Sequence, residues 1–390
     1  MALNFYNSRI PELYFSPGSI EKLPIISGSY GNRVLIVTGK HSFISSREYQ
    51  LLIKELDEEA IEWEVFKTSG EPSPSIIDTA VEKYRDQNID LVISIGGGSV
   101  IDAGKAISAM LKHEHGVTSY LEGLGAVEPG PEKVPFIAVP TTSGTGSEAT
   151  KNAVISETGT NGFKKSLRHN NYVPDVALID PQLILECPPD VTAASGMDAL
   201  CQLLESFVSL NATEFTDILA FDGLKRVRKS LLITYLSGND LDARSNMAYG
   251  AYISGITLAN AGLGTVHGLA SPLGGYHNIP HGVVCGTLLA ETTAKTVQHL
   301  ISDQPSHPSL KKYARVGRLF SGKENLSIPA YAEILVESLY ELTYKLQIPG
   351  LGDYGIKEDD FDRIATSASN KNNPVKLEKS EIIEILKSRL

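Results

Sequence analysis

A run of glycines between a strand pattern and a helix pattern constrains this chain more than any other feature. Leu91–Ile95 has the apolar, β-branched composition of a buried strand, Gly96–Ser99 follows it, and Val100–Ile107 resembles the first turns of a helix. Glycines let backbone N–H groups approach a pyrophosphate, and a helix N-terminus adds partial positive charge. The segment therefore predicts a phosphate-binding loop, although a tight turn alone would also select its glycines.

The same alternation of strand and helix patterns extends over the first half of the chain. It implies parallel strands joined by right-handed crossovers. The predicted strands are Val34–Thr38, Trp63–Phe66, Leu91–Ile95 and Pro135–Val139, and the predicted helices between them include Glu48–Glu59 and Ile76–Gln87. This half is predicted to be a doubly wound parallel sheet, on which ligands bind beyond the carboxyl ends of the strands.

A second loop rich in hydroxyl groups follows the next predicted strand. Pro140–Ser147 contains five Ser or Thr residues and two glycines. Hydroxyls can donate to phosphate or ribose oxygens, whereas capping the following helix would need only one or two of them. Two such loops at one edge of a sheet together indicate a nucleotide site.

The second half of the chain has a different pattern. After about residue 185 the β-branched runs stop, and long helical patterns such as Ala243–Ala261 and Glu378–Leu390 take over. A chain of 390 residues also exceeds what one hydrophobic core usually serves. We therefore predict an α/β dinucleotide-binding domain over residues 1–185 and an all-helical metal and substrate domain over residues 186–390.

Charge and composition exclude several classes of protein. The net charge is −11 and basic residues occur at most in short pairs, which argues against nucleic acid as a partner. No apolar run is long enough to span a membrane, and the first residues lack a secretory leader pattern, so we expect a cytoplasmic protein. Cys187, Cys201 and Cys285 are too few for a disulfide framework and are expected to be reduced, mostly structural thiols.

A candidate metal site lies in the helical half. Asp198 and Gln202 are four residues apart and share one helix face, while His267 and His281 are far enough apart to come from two separate elements. One carboxylate with two imidazoles suits Zn²⁺ or Fe²⁺ and leaves a position for substrate. From spacing alone, a buried histidine bonded to a backbone carbonyl is an equally good interpretation.

Several long motifs, in this order along the chain, resemble those of the iron-containing (group III) alcohol dehydrogenases. The matching segments are Gly96–Lys105, Pro140–Glu148, Thr192–Leu200, Asn260–Gly268 and Pro280–Gly282. The resemblance implies a nucleotide-binding α/β domain followed by a helical domain, the fold shared with dehydroquinate synthase, and an active site between them.

The resemblance also implies the activity of an NAD(P)-dependent alcohol dehydrogenase or aldehyde reductase. Such an enzyme transfers hydride between nicotinamide C4 and a small alcohol or aldehyde, with the oxygen polarised by a divalent metal. Members of the family commonly form dimers.

The resemblance carries functional roles onto individual residues of this chain. It implies metal ligands at Asp198, His267 and His281, with Gln202 at the fourth position, where histidine is usual. Glutamine is a neutral, weak donor and should hold the metal less tightly. Three ligands can suffice, as in related glycerol dehydrogenases, or the enzyme can work without metal, as maleylacetate reductases are thought to do. A non-catalytic cofactor-binding protein is the remaining alternative.

The proton-transfer group is a second departure from the family pattern. Ser271 stands where many members carry a histidine. We expect His277 or a water chain through the cofactor ribose to transfer the proton instead, and an exposed loop histidine is an equally good interpretation of His277. His267 and Asp198 are the other catalytic candidates. Dehydroquinate synthase needs Lys and Arg for an anionic substrate. The segments around Asp198 and His267 contain no basic cluster, which argues against that activity.

Cofactor choice depends on the turn after the first predicted strand. In NAD-using relatives an aspartate at this position binds the ribose hydroxyls and would repel a 2′-phosphate. Here the position is Gly39, followed by Lys40, and the loss of an acid with the gain of a cation favours NADPH. A plain turn with a solvent-facing lysine is the alternative. The predicted cofactor-binding residues are Gly39, Lys40, Gly97, Gly98, Ser99, Asp102, Thr141, Thr142, Thr145, Asn152 and Lys164. Of these residues, Asp102 is expected to brace the glycine loop rather than to contact the cofactor.

Overall fold

A six-stranded parallel sheet organises the first half of the chain. The computed structural model describes residues 5–390. Its strands are β1 (Glu12–Phe15), β2 (Arg33–Gly39), β3 (Glu62–Thr68), β4 (Leu91–Gly96), β5 (Phe136–Pro140), β6 (Asn152–Glu157), β7 (Phe163–Arg168) and β8 (Val176–Ile179). The sheet has the order β1-β8-β5-β4-β2-β3 with every neighbouring pair parallel, and β6 and β7 form a separate antiparallel hairpin.

The sheet is covered on both faces, which explains the continuous apolar runs of its central strands. Along β2, Val34 and Ile36 enter one hydrophobic core, while Leu35 and Val37 enter another. This alternation follows from side chains that point to opposite faces of a strand. The helices of this half are α1 (Leu23–Gly28), α2 (Arg47–Glu58), α3 (Pro74–Tyr84) and α4 (Gly98–Met110). The predicted doubly wound parallel sheet is confirmed.

Four strands escaped the sequence analysis. β1 and β8 have only four residues each; β1 is largely exposed, and β8, although fully buried, is too short to stand out as a strand pattern. The hairpin β6–β7 carries lysines, asparagine and serines on its accessible positions, which concealed its strand pattern. This omission matters because the hairpin lines the candidate site.

All regular secondary structure from residue 189 onward is helical. These helices are α5 (Pro189–Val208), α6 (Glu214–Leu236), α7 (Leu241–Ala261), α8 (Thr265–Tyr276), α9 (His281–Ser302), α10 (Pro308–Ser321), α11 (Ile328–Lys345), α12 (Glu358–Ser367) and α13 (Lys379–Ser388). One large apolar core connects them. Within residues 5–390, no helix combines the length and the apolar character needed to cross a membrane. The division into domains at residue 185 stays a prediction.

Candidate active site

The glycine loop and the hydroxyl loop pack directly against each other. Gly97 caps α4 and Gly98 is its first residue. A Cβ atom on Gly98 would lie 2.4 Å from Cγ2 of Thr145, so only glycine allows this approach. The amide of Thr141 also donates to the carbonyl of Gly96 at 2.9 Å. Both predicted loops therefore form one surface at the carboxyl edge of the sheet, beside the N-terminus of α4.

A closed polar network lies beneath these loops and is centred on Lys105. We call Lys105, Asp102, Ser147, Thr150 and Asn152 the loop network. The Lys105 ammonium, 1% exposed, donates to four oxygens at 2.7–3.2 Å: the Ser147 carbonyl and hydroxyl, the Thr150 hydroxyl and the Asn152 carbonyl. Burial lowers the pKa of Lys105 to about 8, although Asp102 opposes the shift. The sequence analysis did not identify this structural role of Lys105.

Asp102 connects the loop network to the hairpin. Its carboxylate accepts from the Ser147 hydroxyl and from the amide of Val154, the latter at 3.0 Å. Burial raises the pKa of Asp102, and Lys105 counteracts this effect. These contacts agree with the expected bracing role of Asp102, which also lines a cavity described below.

Glu71 is a site residue that the sequence analysis missed. It follows β3, and its carboxylate contacts the Lys164 ammonium at 3.1 Å and the Ser99 hydroxyl at 3.4 Å. Burial works against the charged form, but Lys164 and His281 outweigh it, so the pKa of Glu71 lies below its usual value. The one available signal was position, because Glu71 follows the carboxyl end of a strand in the sheet that carries the glycine loop.

Four side chains from three helices converge in the helical half. Asp198 comes from α5, His267 from α8, and His281 and Cys285 from the first two turns of α9. One donor atom from each lies within 4.8 Å of all the others. We call these four residues the inner cluster. The structure thus brings together Asp198, His267 and His281, three of the predicted metal ligands, and adds Cys285, for which the sequence predicted a structural role.

The distances within the inner cluster are short and similar. Asp198 Oδ1 lies 3.3 Å from His267 Nε2 and 3.6 Å from His281 Nε2. Cys285 Sγ lies 3.6 Å from His267 Nε2 and 3.7 Å from His281 Nε2. A carboxylate oxygen, two imidazole nitrogens and a sulfur are a donor set that fits a divalent transition metal.

Glu205 orients His267 through Nδ1, the ring nitrogen that does not face the inner cluster. Its carboxylate lies 2.7 Å from His267 Nδ1 and accepts from the Val266 amide at 2.8 Å. A proton on Nδ1 donates to Glu205 and leaves Nε2 free to face the inner cluster. Such carboxylate–histidine pairs commonly fix the tautomer of a metal-bound imidazole. Glu205 lies seven residues after Asp198 on α5, so helical periodicity could have indicated it.

The protonation of the inner cluster reflects its excess negative charge. Burial alone would lower the pKa of each histidine, but Cys285 and Asp198 outweigh it, and the pKa values of both His267 and His281 rise. Burial would raise the pKa of Cys285, yet Cys201 and the two imidazoles bring it well below its usual value. Acidic groups that draw protons onto two histidines would also favour a divalent cation.

Gln202 lines the same cavity as His267 but has a partner of its own. Its side-chain oxygen accepts from the Ser254 hydroxyl at 2.6 Å. The predicted fourth ligand is therefore held against α7. Cys285 is a second candidate for the fourth position.

His277 does not join the inner cluster. It ends α8, and its Nε2 lies 3.6 Å from a carboxylate oxygen of Asp360 on α12. It is also absent from the residues that line the two cavities described below, whereas Ser271 lines one of them. The path of the chain after α8 turns His277 toward α12, so its predicted role in proton transfer has no support in the geometry.

Two adjoining cavities connect the loops with the inner cluster. Their volumes are about 700 and 510 Å³, and both are lined by Gly98, Ser99, Thr145 and His281. Thr142 and Asp198 line the first, and Asp102, Asn152 and Lys164 line the second. Gly39 ends β2 and Lys40 is exposed, outside both linings. Ligands of parallel sheets bind at this edge, so a nucleotide on the loops would face the inner cluster.

The glycine loop of a parallel sheet faces a buried cluster of carboxylate and imidazole groups on helices. This arrangement is typical of nicotinamide-dependent oxidoreductases that have a metal-binding helical domain. The family model described as "Iron-containing alcohol dehydrogenase" matches residues 11–181, and "Fe-containing alcohol dehydrogenase family, C-terminal" matches residues 192–390. The chain belongs to the iron-containing alcohol dehydrogenase family. The predicted family and the predicted enzyme class, an oxidoreductase acting on CH–OH groups, are confirmed.

Individual relatives match over nearly the whole chain. "Alcohol dehydrogenase 4" of Saccharomyces cerevisiae is 32% identical over 385 residues, with 97% of this chain and 96% of the yeast protein covered. "1,3-propanediol dehydrogenase" of Citrobacter freundii is 32% identical over 402 residues, with 99% of both covered. The solved structure "Alcohol dehydrogenase from Oenococcus oeni" has a TM-score of 0.88 and 30% identity, covering 99% of this chain and 100% of the other. Family membership implies a nicotinamide cofactor and a divalent metal.

Proposed function

We propose that this protein interconverts a small alcohol and its aldehyde with NAD(P), using a divalent metal held by Asp198, His267 and His281. The observation that carries the proposal is that His281 lines both cavities together with the glycine loop, so cofactor and metal sites share one space. Relatives whose names specify propanediol and methanol support a small alcohol. The fourth ligand is either Gln202 or Cys285.

The residues of this chain bind and orient the reactants. The glycine loop presents backbone N–H groups to the pyrophosphate at the N-terminus of α4. Glu205 accepts the proton on His267 Nδ1, so that Nε2 is the ring nitrogen that faces the inner cluster. A divalent metal at this position supplies Lewis acidity to the substrate oxygen, and the nicotinamide supplies or accepts the hydride.

We propose NADPH as the preferred cofactor because Gly39 and Lys40 end β2 without an acidic group. The turn has open space, since a Cβ atom on Gly39 would meet nothing within 4 Å, and Lys40 is exposed. A 2′-phosphate would meet a cation rather than a carboxylate there. A homodimer and a cytoplasmic location also stay predictions.

Activity measured beside metal content tests the proposal. Protein purified without chelators should reduce short aldehydes with NADPH, and chelation should abolish the activity until Zn²⁺ or Fe²⁺ is restored. Full activity in metal-free protein would favour a metal-independent reductase. No turnover with either cofactor and either metal would favour a non-catalytic cofactor-binding protein.

A further inference from the structure

The inner cluster has the dimensions of a tetrahedral metal site. Zinc lies at about 2.0 Å from nitrogen or oxygen ligands and at about 2.3 Å from sulfur, which places tetrahedral N···O neighbours about 3.3 Å apart and N···S neighbours about 3.5 Å apart. The N···O distances here are 3.3 and 3.6 Å, and the N···S distances are 3.6 and 3.7 Å. These four of the six edges of the tetrahedron lie within a few tenths of an ångström of the ideal values, and the other two are no longer than 4.8 Å.

Helix geometry explains how a cysteine reaches this position. His281 and Cys285 are four residues apart on α9, so they share one face, as Asp198 and Gln202 do on α5. Gln202 is neutral and its oxygen is bonded to Ser254, whereas Cys285 Sγ is within 3.7 Å of both imidazoles. The helix that offers two candidate ligands on one face is therefore α9, with His281 and Cys285, rather than α5, with Asp198 and Gln202.

We propose that Cys285, as a thiolate, is the fourth protein ligand in place of Gln202, and that this site therefore selects zinc over iron. The inference rests on the metal-dependent function proposed above. Thiolate is a soft ligand that favours Zn²⁺ over Fe²⁺ in sites of mixed nitrogen and sulfur donors. Asp198 and His281 line the 700 Å³ cavity, so the site stays accessible from the substrate side.

Cobalt substitution tests this proposal without relying on activity. Co²⁺ should be added to metal-free full-length protein, and thiolate coordination should produce a near-ultraviolet charge-transfer band. The band should disappear in Cys285→Ser and persist in Cys187→Ser and Gln202→Ala. Zinc affinity should fall in Cys285→Ser by at least the roughly 10–100-fold that loss of an outer-shell partner causes. Metal analysis of wild-type protein should find zinc.

Other outcomes overturn the proposal in distinguishable ways. Stoichiometric Co²⁺ without the band, or a band kept in Cys285→Ser but lost in Cys201→Ser, excludes Cys285 as a ligand while leaving a metal-dependent enzyme intact. Zinc affinity lost in Gln202→Ala alone restores glutamine as the ligand. Protein that binds neither Co²⁺ nor Zn²⁺ contradicts both this inference and the proposed function.

A different observation concerns the positive charge of the 510 Å³ cavity. Its lining includes Lys151, Lys164, Arg168 and Lys371, which come from the β6–β7 region and from the loop after α12. Glu71 pairs with Lys164 at 3.1 Å, Glu122 with Arg168 at 2.8 Å, and the amide oxygen of Asn170 accepts from Lys151 at 2.9 Å. Across residues 5–390, the Lys371 ammonium has neither a hydrogen bond nor an ion pair in the structure.

The backbone fixes Lys371 beside α8. A Cβ atom on Gly268 would lie 1.6 Å from the carbonyl oxygen of Ser369, so glycine alone lets this loop approach the helix. Lys371 itself has φ 45°, a left-handed conformation that lysine rarely adopts. Lys371 is exposed to solvent, and it lines the same 510 Å³ cavity as His267 and His281 of the inner cluster.

We infer that the substrate of the proposed reaction carries an anionic group, a carboxylate, sulfonate or phosphonate, which Lys371 binds. The inference depends on the proposed function, since it names the class of aldehyde or alcohol that occupies the same site. A charged cavity lysine without a partner is well suited to a charge-assisted hydrogen bond with such a group. The loops at the other end of the cavity remain available for the cofactor phosphates.

Paired substrates and a matched variant test the inference. The ratio of kcat/KM for succinic semialdehyde, sulfoacetaldehyde or phosphonoacetaldehyde to that for butanal should exceed one for at least one acid. Lys371→Asn should reduce this ratio about ten- to hundredfold, the contribution of a hydrogen bond between charged groups. Asparagine tolerates positive φ, so the loop should keep its shape. Lys376→Asn, an exposed lysine of the same segment, is the control.

The outcomes separate the substrate from the cofactor. If Lys371→Asn weakens NADPH and NADH binding and leaves the ratio unchanged, the lysine serves a cofactor phosphate and the inference is wrong. Turnover of butanal with no preference for any acid also contradicts it, but not the proposed function. Absence of turnover with every aldehyde contradicts both.

Discussion

Two buried polar clusters of this protein differ in how their charges are satisfied. In the loop network, the Lys105 ammonium is surrounded by four oxygen acceptors of its own chain. The inner cluster, by contrast, brings together four atoms that can ligate a metal, one each from Asp198, His267, His281 and Cys285, within 4.8 Å of one another. A closed network stabilises architecture, whereas convergent donors form a ligand site. Burial and shifted pKa values are common to both, so neither property alone distinguishes a structural cluster from a functional one.

Removal of the Lys105 ammonium from the centre of the loop network should lower the stability of the protein more than any other change to the two clusters. Lys105→Met keeps most of the length of the side chain but removes the cation from beside Asp102 and from four acceptor oxygens. Loss of one member of a buried charged pair commonly costs about 3–5 kcal/mol. Urea unfolding should show a loss of that size, and Lys112→Met, an exposed lysine just after α4, should be neutral. Equal stability of the two variants would mean that the loop network does not support the fold.

Glu148, beside the loop network, should make stability depend on pH. Burial raises the pKa of Glu148 to about 7 from 4.5, although Lys105 opposes the shift. Between these values the folded protein keeps a proton that the unfolded chain has lost. The stabilisation is therefore complete below pH 4.5 and is lost as pH rises through about 7. The difference should be on the order of 3 kcal/mol.

Unfolding at several pH values checks this prediction. The free energy of unfolding of the wild type should fall between pH 4.5 and 7 relative to that of Glu148→Gln, which has no proton to lose. Glu157→Gln, an exposed carboxylate on β6, is the control and should behave as the wild type. Parallel curves for wild type and Glu148→Gln would refute a shifted carboxyl group.

The sequence indicated the inner cluster and the loop network to different extents. Asp198, His267 and His281 were found because the resemblance assigned them, and the structure brings them together. Cys285 was missed because a cysteine in an apolar run looks like a core residue until its neighbours in space are known. Lys105 was missed for the same reason, because its acceptors on Ser147 and Asn152 lie 42 and 47 residues away along the chain.

Long-range contacts account for most of what the sequence analysis missed. The segments near Asp198 and His267 contain no basic cluster. Arg168, 30 residues before Asp198, and Lys371, 104 residues after His267, nevertheless line the same cavity. Strands β2, β4 and β5 were predictable because burial on both faces produces continuous apolar runs, whereas the edge strand β3 was predictable from its aromatic and β-branched residues. The exposed hairpin that carries Arg168 shows no such pattern.

The orientation of His267 offers a smaller test on the inner cluster. Glu205→Gln has a single acceptor oxygen for the two donors, His267 Nδ1 and the Val266 amide. Zinc affinity should fall about 10–100-fold, as for other outer-shell partners. Competition with a chromogenic chelator measures it, and Glu291→Gln, another hydrogen-bonded carboxylate, is the control. An unchanged zinc affinity would show that the cluster does not need the fixed tautomer.

The smallest effect is expected at Gly39, beyond both clusters. Its Cβ position is open and its φ lies outside the left-handed region, so Gly39→Asp should fold as the wild type does. A carboxylate there would attract ribose hydroxyls and repel a 2′-phosphate. We expect the preference for NADPH over NADH to fall about tenfold, equivalent to roughly 1.4 kcal/mol. Fluorescence titration with each cofactor measures this, and Lys40→Met should weaken NADPH alone. Similar affinities of the wild type for both cofactors would instead mean that this turn does not contact the ribose, and that selectivity arises nearer the loops.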